Sequence, residues 1–160
     1  ELDPANAEAH YVRGVILAAQ GEARAGLASL GKAQEADSQD PEVHYRLALA
    51  FLDLDMVLNA RLELEKTLAL EPGHLRAMDR LGWLYYNSGY AEEAMALWRR
   101  GLESGDEQAR SNLAKAWLDS VRAAIEAGDV GEAARLCRMI QAVDPGNKAA
   151  AYYLDYYLDP

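Results

Sequence analysis

Along this chain, small and bulky apolar residues fall on one helical face and then return 34 positions later. Gly14, Ala48 and Gly82 form one such series, Ala60 and Ala94 a second, and Leu30, Leu64 and Trp98 a third. Within one segment the apolar positions come back at intervals of four and three, as in Ala94, Trp98 and Gly101, the spacing that returns to a single face of an α-helix. A period of 34 with helical patterning inside it predicts stacked helix–turn–helix repeats. Small residues let helix backbones approach closely, and bulky ones a turn or two away fill the space between them. One helix pair buries too little alone, so neighbouring pairs must stack.

The pattern divides the chain into segments. Residues 1–6 read as the tail of a preceding repeat. Residues 7–40 form a first repeat with helices near 7–20 and 23–36, broken at Gly21. Gly26 and Gly31 inside its second helix each cost about 1 kcal/mol relative to alanine, so this repeat should be the least stable. Residues 41–74 form a second repeat. Asp40 caps its first helix, Pro41 occupies the first turn where a missing N–H costs nothing, and Pro72-Gly73 ends it. Its inward positions are Leu47, Ala48 and Phe51, answered by Ala60, Leu64 and Thr67. Residues 75–108 form the clearest repeat, with Leu81, Gly82 and Tyr85 inside and a turn at Gly89-Tyr90.

The fourth repeat, 109–147, arrives late: Ala94 to Ala133 is 39 residues, five more than the period. No glycine or proline interrupts 107–127, so the extra residues lengthen the first helix to nearly ~30 Å rather than forming a loop. Residues 148–160 supply a closing helix over 148–158. Tyr152, Tyr153, Leu154, Tyr156, Tyr157 and Leu158 give it apolar surface on every side, which suits a sandwiched helix or one awaiting a partner.

Composition restricts the function classes. About half of the 160 residues are apolar, 51%, and a quarter charged, 26%, the balance of a chain that folds. The net charge of −10 argues against nucleic acid, whose backbone needs basic residues gathered on one face. Residues 1–74 carry 13 acids against 6 bases, and residues 109–147 carry 5 of each, so the acidity is concentrated in the amino-terminal half. One cysteine, Cys137, excludes an internal disulfide framework and leaves cytoplasm and periplasm both open, with cytoplasm preferred. No run of apolar residues is long enough to span a membrane.

The spacing of Met78, Leu81-Gly82, Tyr85, Ala94, Trp98 and Gly101 resembles the tetratricopeptide repeat. The series His44, Leu47-Ala48, Phe51, Ala60, Leu64, Thr67 and Pro72 repeats it. Trp117, Ser120-Val121, Ala124, Ala133, Cys137, Ile140 and Pro145 form a looser copy. The first repeat departs from the pattern, with Arg13 for its leucine and Ser38 for its proline. The resemblance covers nearly the whole chain and implies an all-α, right-handed solenoid of antiparallel helix pairs. It also implies a non-catalytic scaffold that takes a peptide or helix of a partner protein in its concave groove, with no cofactor.

Groove positions carried over from that family are Glu8, Tyr11, Val12, Val15 and Ala18 in the first repeat, and Glu42, Tyr45, Arg46, Leu49 and Leu52 in the second. They are Arg76, Asp79, Arg80, Trp83 and Tyr86 in the third, and Lys115, Leu118, Asp119, Arg122 and Ile125 in the fourth. Tyr11, Tyr45, Leu49, Trp83 and Tyr86 would supply apolar and stacking contacts. Arg46, Arg76, Arg80, Lys115 and Arg122 would select carboxylates, since arginine donates two parallel hydrogen bonds to one. An acidic segment of the partner is the expected ligand. Local pairing of Arg46 with Glu42, and of Arg76 or Arg80 with Asp79, is the competing account of these cations. The clamp by which some family members hold chaperone tails needs lysine and asparagine where Tyr11 and Val15 stand, which argues against that role.

Other chemistry is sparse. His10 and His44 repeat at the period, but no ligand cluster accompanies them, and they read as packing residues. Cys137 shares its register with Leu30, Leu64 and Trp98 and reads as core. Asp53 and Asp55 lack the rest of a calcium loop and read as a solvated helix end. There is no phosphate loop and no nucleophile with a paired base. Two alternative functions stand beside the scaffold: self-association as a homodimer through Tyr152, Tyr153, Tyr156 and Tyr157, or service as the targeting arm of a larger enzyme.

Overall fold

A computed structural model describes the backbone of residues 4–36 and 39–155, and their side chains from Ala9 onward. Among the described residues there are nine α-helices and no strand. They are α1 (Pro4–Ala19), α2 (Ala23–Ala36), α3 (Pro41–Asp53), α4 (Val57–Leu70), α5 (Leu75–Asn87), α6 (Ala91–Glu103), α7 (Glu107–Glu126), α8 (Val130–Val143) and α9 (Lys148–Tyr153). The chain divides into two compact units, Glu1–Leu84 and Tyr85–Pro160, and the division falls within α5.

Capping chemistry sets several helix starts. Asp40 accepts from the Glu42 amide at 2.9 Å ahead of Pro41, and Asp106 accepts from the Gln108 amide at 3.0 Å. Asp129 and Asn147 perform the same service for Glu132 and Ala150. Each bond satisfies one of the amides that a helix start leaves without an intrahelical acceptor. Tight turns follow α1, α3 and α5. They place Gly21 (φ 80°), Asp55 (φ 57°) and Gly89 (φ 86°) in the left-handed region, again at 34-residue spacing. Asp55 is thus more than a solvated helix end: it takes a backbone conformation that its two counterparts reach as glycine.

In the first unit, α1 packs on α2, α2 on α3 and α3 on α4. Short connections make such neighbours antiparallel. Gly14 and Gly26 bring α1 and α2 together: a Cβ on Gly26 would lie 3.0 Å from the Gly14 carbonyl oxygen and 3.0 Å from the Ala18 amide nitrogen. The core around this contact contains Leu30, Ala33, Val43, Leu47 and Ala50, flanked by Tyr11, Val15, Leu27 and Phe51. Ala48, Ala60, Leu64 and Thr67 are fully buried between α3 and α4.

In the second unit, α6 packs on α7, α7 on α8 and α8 on α9. Ala94, Trp98, Leu113, Val121, Ala133, Cys137 and Ile140 form its interior. The turn after α6 sits at Ser104–Asp106, and α7 then runs unbroken for 20 residues. In the closing helix, α9, the α-helix ends at Tyr153, Leu154 and Asp155 continue as a wider turn, and Tyr156, Tyr157 and Leu158 lie outside the described residues.

Candidate functional site

In the first unit, inner-face residues of α1 and α3 line one cavity of about 210 Å³. Val15, Ala18 and Ala19 come from α1, Leu30 from α2, and Arg46, Leu49 and Asp53 from α3. The helical register explains the assembly. Val15 and Ala18 are one turn apart on α1, as Arg46 and Leu49 are on α3. Its lining is mostly apolar, joined by the Arg46 guanidinium and the Asp53 carboxylate.

Arg46 does not stand alone there. Its Nε donates to Glu42 Oε1 at 2.8 Å, and its guanidinium is also hydrogen-bonded to Tyr11. Partial burial works against its charge, but the bonds to Tyr11 and Glu42 outweigh that and hold its pKa above the ordinary arginine value. Arg76 donates to the other oxygen of Glu42 at 2.9 Å, and His74 Nε2 lies 3.5 Å from that same oxygen. One carboxylate therefore joins α3 to the start of α5.

Beneath this group lies Tyr45, only 4% exposed. The Arg76 guanidinium sits over its ring at 4.9 Å, and the His74 ring packs against it at 4.8 Å. Tyr45 is consequently a platform for Arg76, and its burial leaves it little surface to offer a ligand. Local pairing of Arg76 reaches Glu42, one full period back along the chain. Arg80 and Trp83 lie farther along α5, Arg80 exposed and Trp83 partly buried.

In the second unit, α7 and the connection from α8 to α9 line a groove of about 550 Å³. Arg110, Ser111, Lys115, Leu118, Asp119 and Arg122 lie on one side, and Asp144 and Asn147 on the other. Asp119 is its hub. It accepts a very short hydrogen bond from the Tyr86 hydroxyl, a bond at 2.7 Å from Arg122, and an ion pair at 3.8 Å from Lys115. The Lys115 ammonium also lies 4.9 Å from the Tyr86 ring centre. Burial and the Asp119 acceptor push the Tyr86 pKa up to about 12. Hydrogen bonding to Tyr153 and the nearness of Asp119 raise that of Arg122. The Asp144 carboxylate accepts from the Asn147 side-chain amide, Nδ2, at 3.0 Å.

Of the four tyrosines read as a self-association surface, Tyr153 meets Arg122 and Tyr152 packs edge-on against Tyr153 at 6.0 Å. Tyr156 and Tyr157 fall outside the described residues. His44 is buried and polar at once: its Nδ1 is 2.6 Å from Glu63 Oε2, and Lys66 holds the other oxygen at 2.7 Å. Among the described residues no group of three His, Cys, Asp or Glu side chains could hold a metal ion, and no helix is long and apolar enough to cross a membrane.

The sequence reading missed the linking roles of Glu42 and His74. Glu42 carried a signal: it precedes Arg46 by four residues and Arg76 by one full period, so helix geometry and repeat geometry bring both cations to it. His74 carried a weaker one, as the residue just ahead of α5, where its Nδ1 accepts from the Ala77 amide at 3.1 Å.

No protein-family model matches the chain, and no curated protein matches it in sequence. Solved structures do match in fold. The first TPR of Spaghetti (RPAP3) bound to the HSP90 peptide SRMEEVD superposes with a TM-score of 0.58 at 17% identity, over 96% of this chain and 91% of that one. A crystal structure of MamA gives 0.66 at 21% identity, over 94% and 84%. Another MamA structure gives 0.65 at 15%, over 94% and 81%. Identities this low speak for architecture alone, and with the paired helices described above they establish that this chain has the tetratricopeptide-repeat fold.

Proposed function

We propose that this protein is a non-catalytic scaffold that receives a segment of another protein, in its first unit along the inner faces of α1, α3 and the start of α5. Each helix pair of the proposed repeats, 7–40, 41–74, 75–108 and 109–147, would present its first helix to a ligand. The observation that carries this reading is Arg76, a guanidinium 58% exposed yet held over a buried aromatic ring. Such a group is oriented before a ligand arrives, so little conformational freedom is lost on binding. Its planar fork suits a carboxylate, which makes an acidic segment the favoured partner. The apolar cavity between Val15 and Leu49 would take a bulky side chain of that segment. The match to a repeat domain carrying a peptide supports the same use of the fold.

The test is a double charge reversal. Arg76→Glu together with Arg80→Glu should weaken binding of an acidic partner by tenfold or more, read by titration calorimetry. Unchanged affinity would contradict the reading.

A further inference from the structure

Glu42 is placed where a ligand carboxylate would have to go. Its two oxygens are held by Arg46 and Arg76 at 2.8 and 2.9 Å, with His74 at 3.5 Å from the second. Its side chain is 29% exposed and that of Arg76 is 58% exposed, so water and a peptide both have access to this pair. From this geometry we infer that Glu42 is a resident competitor: a carboxylate of the chain itself that occupies the arginine site until an acidic side chain of the partner displaces it. The inference rests on the acidic-segment reading above and adds the residue that sets its affinity.

Two features decide between competitor and positioner. If Glu42 oriented Arg76, losing it would release the guanidinium. Arg76, however, has a second support that does not depend on Glu42. The Tyr45 ring beneath it is buried and is itself packed against His74, which is 6% exposed. A cation over an aromatic face is still attracted to it when the carboxylate is gone. The Arg76–Glu42 pair, by contrast, is solvent-accessible, and such pairs contribute little net stability. An incoming carboxylate therefore displaces Glu42 at small cost, while any that binds beside it meets a like charge at close range. The platform is permanent and the occupant exchangeable. A site of this kind favours clustered acids, because a second carboxylate can take the Arg46 fork that Glu42 also vacates.

The experiment uses the full chain and, as probe, a fluorescein-labelled peptide of alternating glutamate pairs and leucines, followed by anisotropy at low salt. Glu42→Gln keeps the side-chain shape and removes the charge. It should tighten binding about three- to tenfold, the effect of removing one accessible like charge and one competitor. Glu65→Gln, a partly buried acid on α4 paired with Arg61 at 3.5 Å, controls for net charge and should change little. Arg76→Ala should abolish the gain. If Glu42→Gln leaves affinity unchanged or lowers it while Arg76→Ala still weakens binding, the competitor role is overturned and the acidic-segment reading survives. If Glu65→Gln tightens binding as much as Glu42→Gln, the effect is bulk charge and the competitor role is again overturned. If Arg76→Ala has no effect, or neither wild type nor Glu42→Gln binds, the acidic-segment reading itself fails.

Discussion

Burial and the acceptor oxygen of Asp119 together push the Tyr86 pKa from the ordinary 10.0 up to about 12. An unfolded chain releases this proton near its ordinary value, so between that value and the folded one the native state holds a proton that the unfolded state has lost. The Tyr86–Asp119 bond therefore contributes stability that is fully present below the unfolded pKa and disappears as pH rises through the folded one. Tyr86→Phe removes the hydroxyl. It should be less stable than wild type near neutral pH, with the gap closing as pH approaches about 12, as read by urea unfolding at both ends. A gap that stays constant would show that the hydroxyl does not titrate with folding.

At the same scale, single residues show where the sequence was readable. Trp98, Leu64 and Cys137 lie in the core because periodicity places them on buried faces. Tyr45 was read as a ligand contact because its register faces inward, yet register does not report depth. His74 and Arg76 cover its ring, and both come from the next stretch of chain.

Helix pairs meet through small residues, and Gly26 shows how tightly. The carbonyl of Gly14 and the amide of Ala18 belong to backbone and cannot rotate aside as a side chain could. Gly26→Val should lower stability by about 1–3 kcal/mol through overpacking, seen as a lower urea midpoint with an unchanged slope. An equal or higher midpoint would mean that α1 and α2 separate without penalty. The same close approach qualifies the sequence-level view of Gly26, which charged its helix with the propensity cost of glycine alone. That cost is real, but the missing Cβ is what lets the two backbones touch.

Helix lengths were legible where composition was decisive. The stretch of α7 holds neither glycine nor proline and begins behind Asp106, whose side chain closes its first turn. The direction of Tyr153 in α9 was not legible in this way, because it depends on Arg122, a partner in a different helix.

For the whole molecule, the net charge of −10 and the cations on its inner helix faces have to be considered together. Two cations in the first unit share Glu42, and two in the second share Asp119. Repetition of a first helix every 34 residues was readable from the chain, because small and bulky apolar residues mark it. The hubs were harder to read, because Glu42 meets one cation a turn away and another a helix pair away, and Asp119 adds to two cations on its own helix a tyrosine of α5.

The proposed binding face differs from the most exposed apolar surface, which is on α4, where Leu58 and Leu62 are 70% and 50% exposed. That contrast allows a direct measurement: isotope-labelled full chain, titrated with a glutamate- and leucine-containing peptide, with amide and arginine side-chain shifts followed by NMR. The account predicts changes gathered on Val15, Ala18, Arg46, Leu49 and Arg76, with Leu58 and Leu62 unmoved. Changes centred on α4, with Arg46 and Arg76 undisturbed, would contradict it.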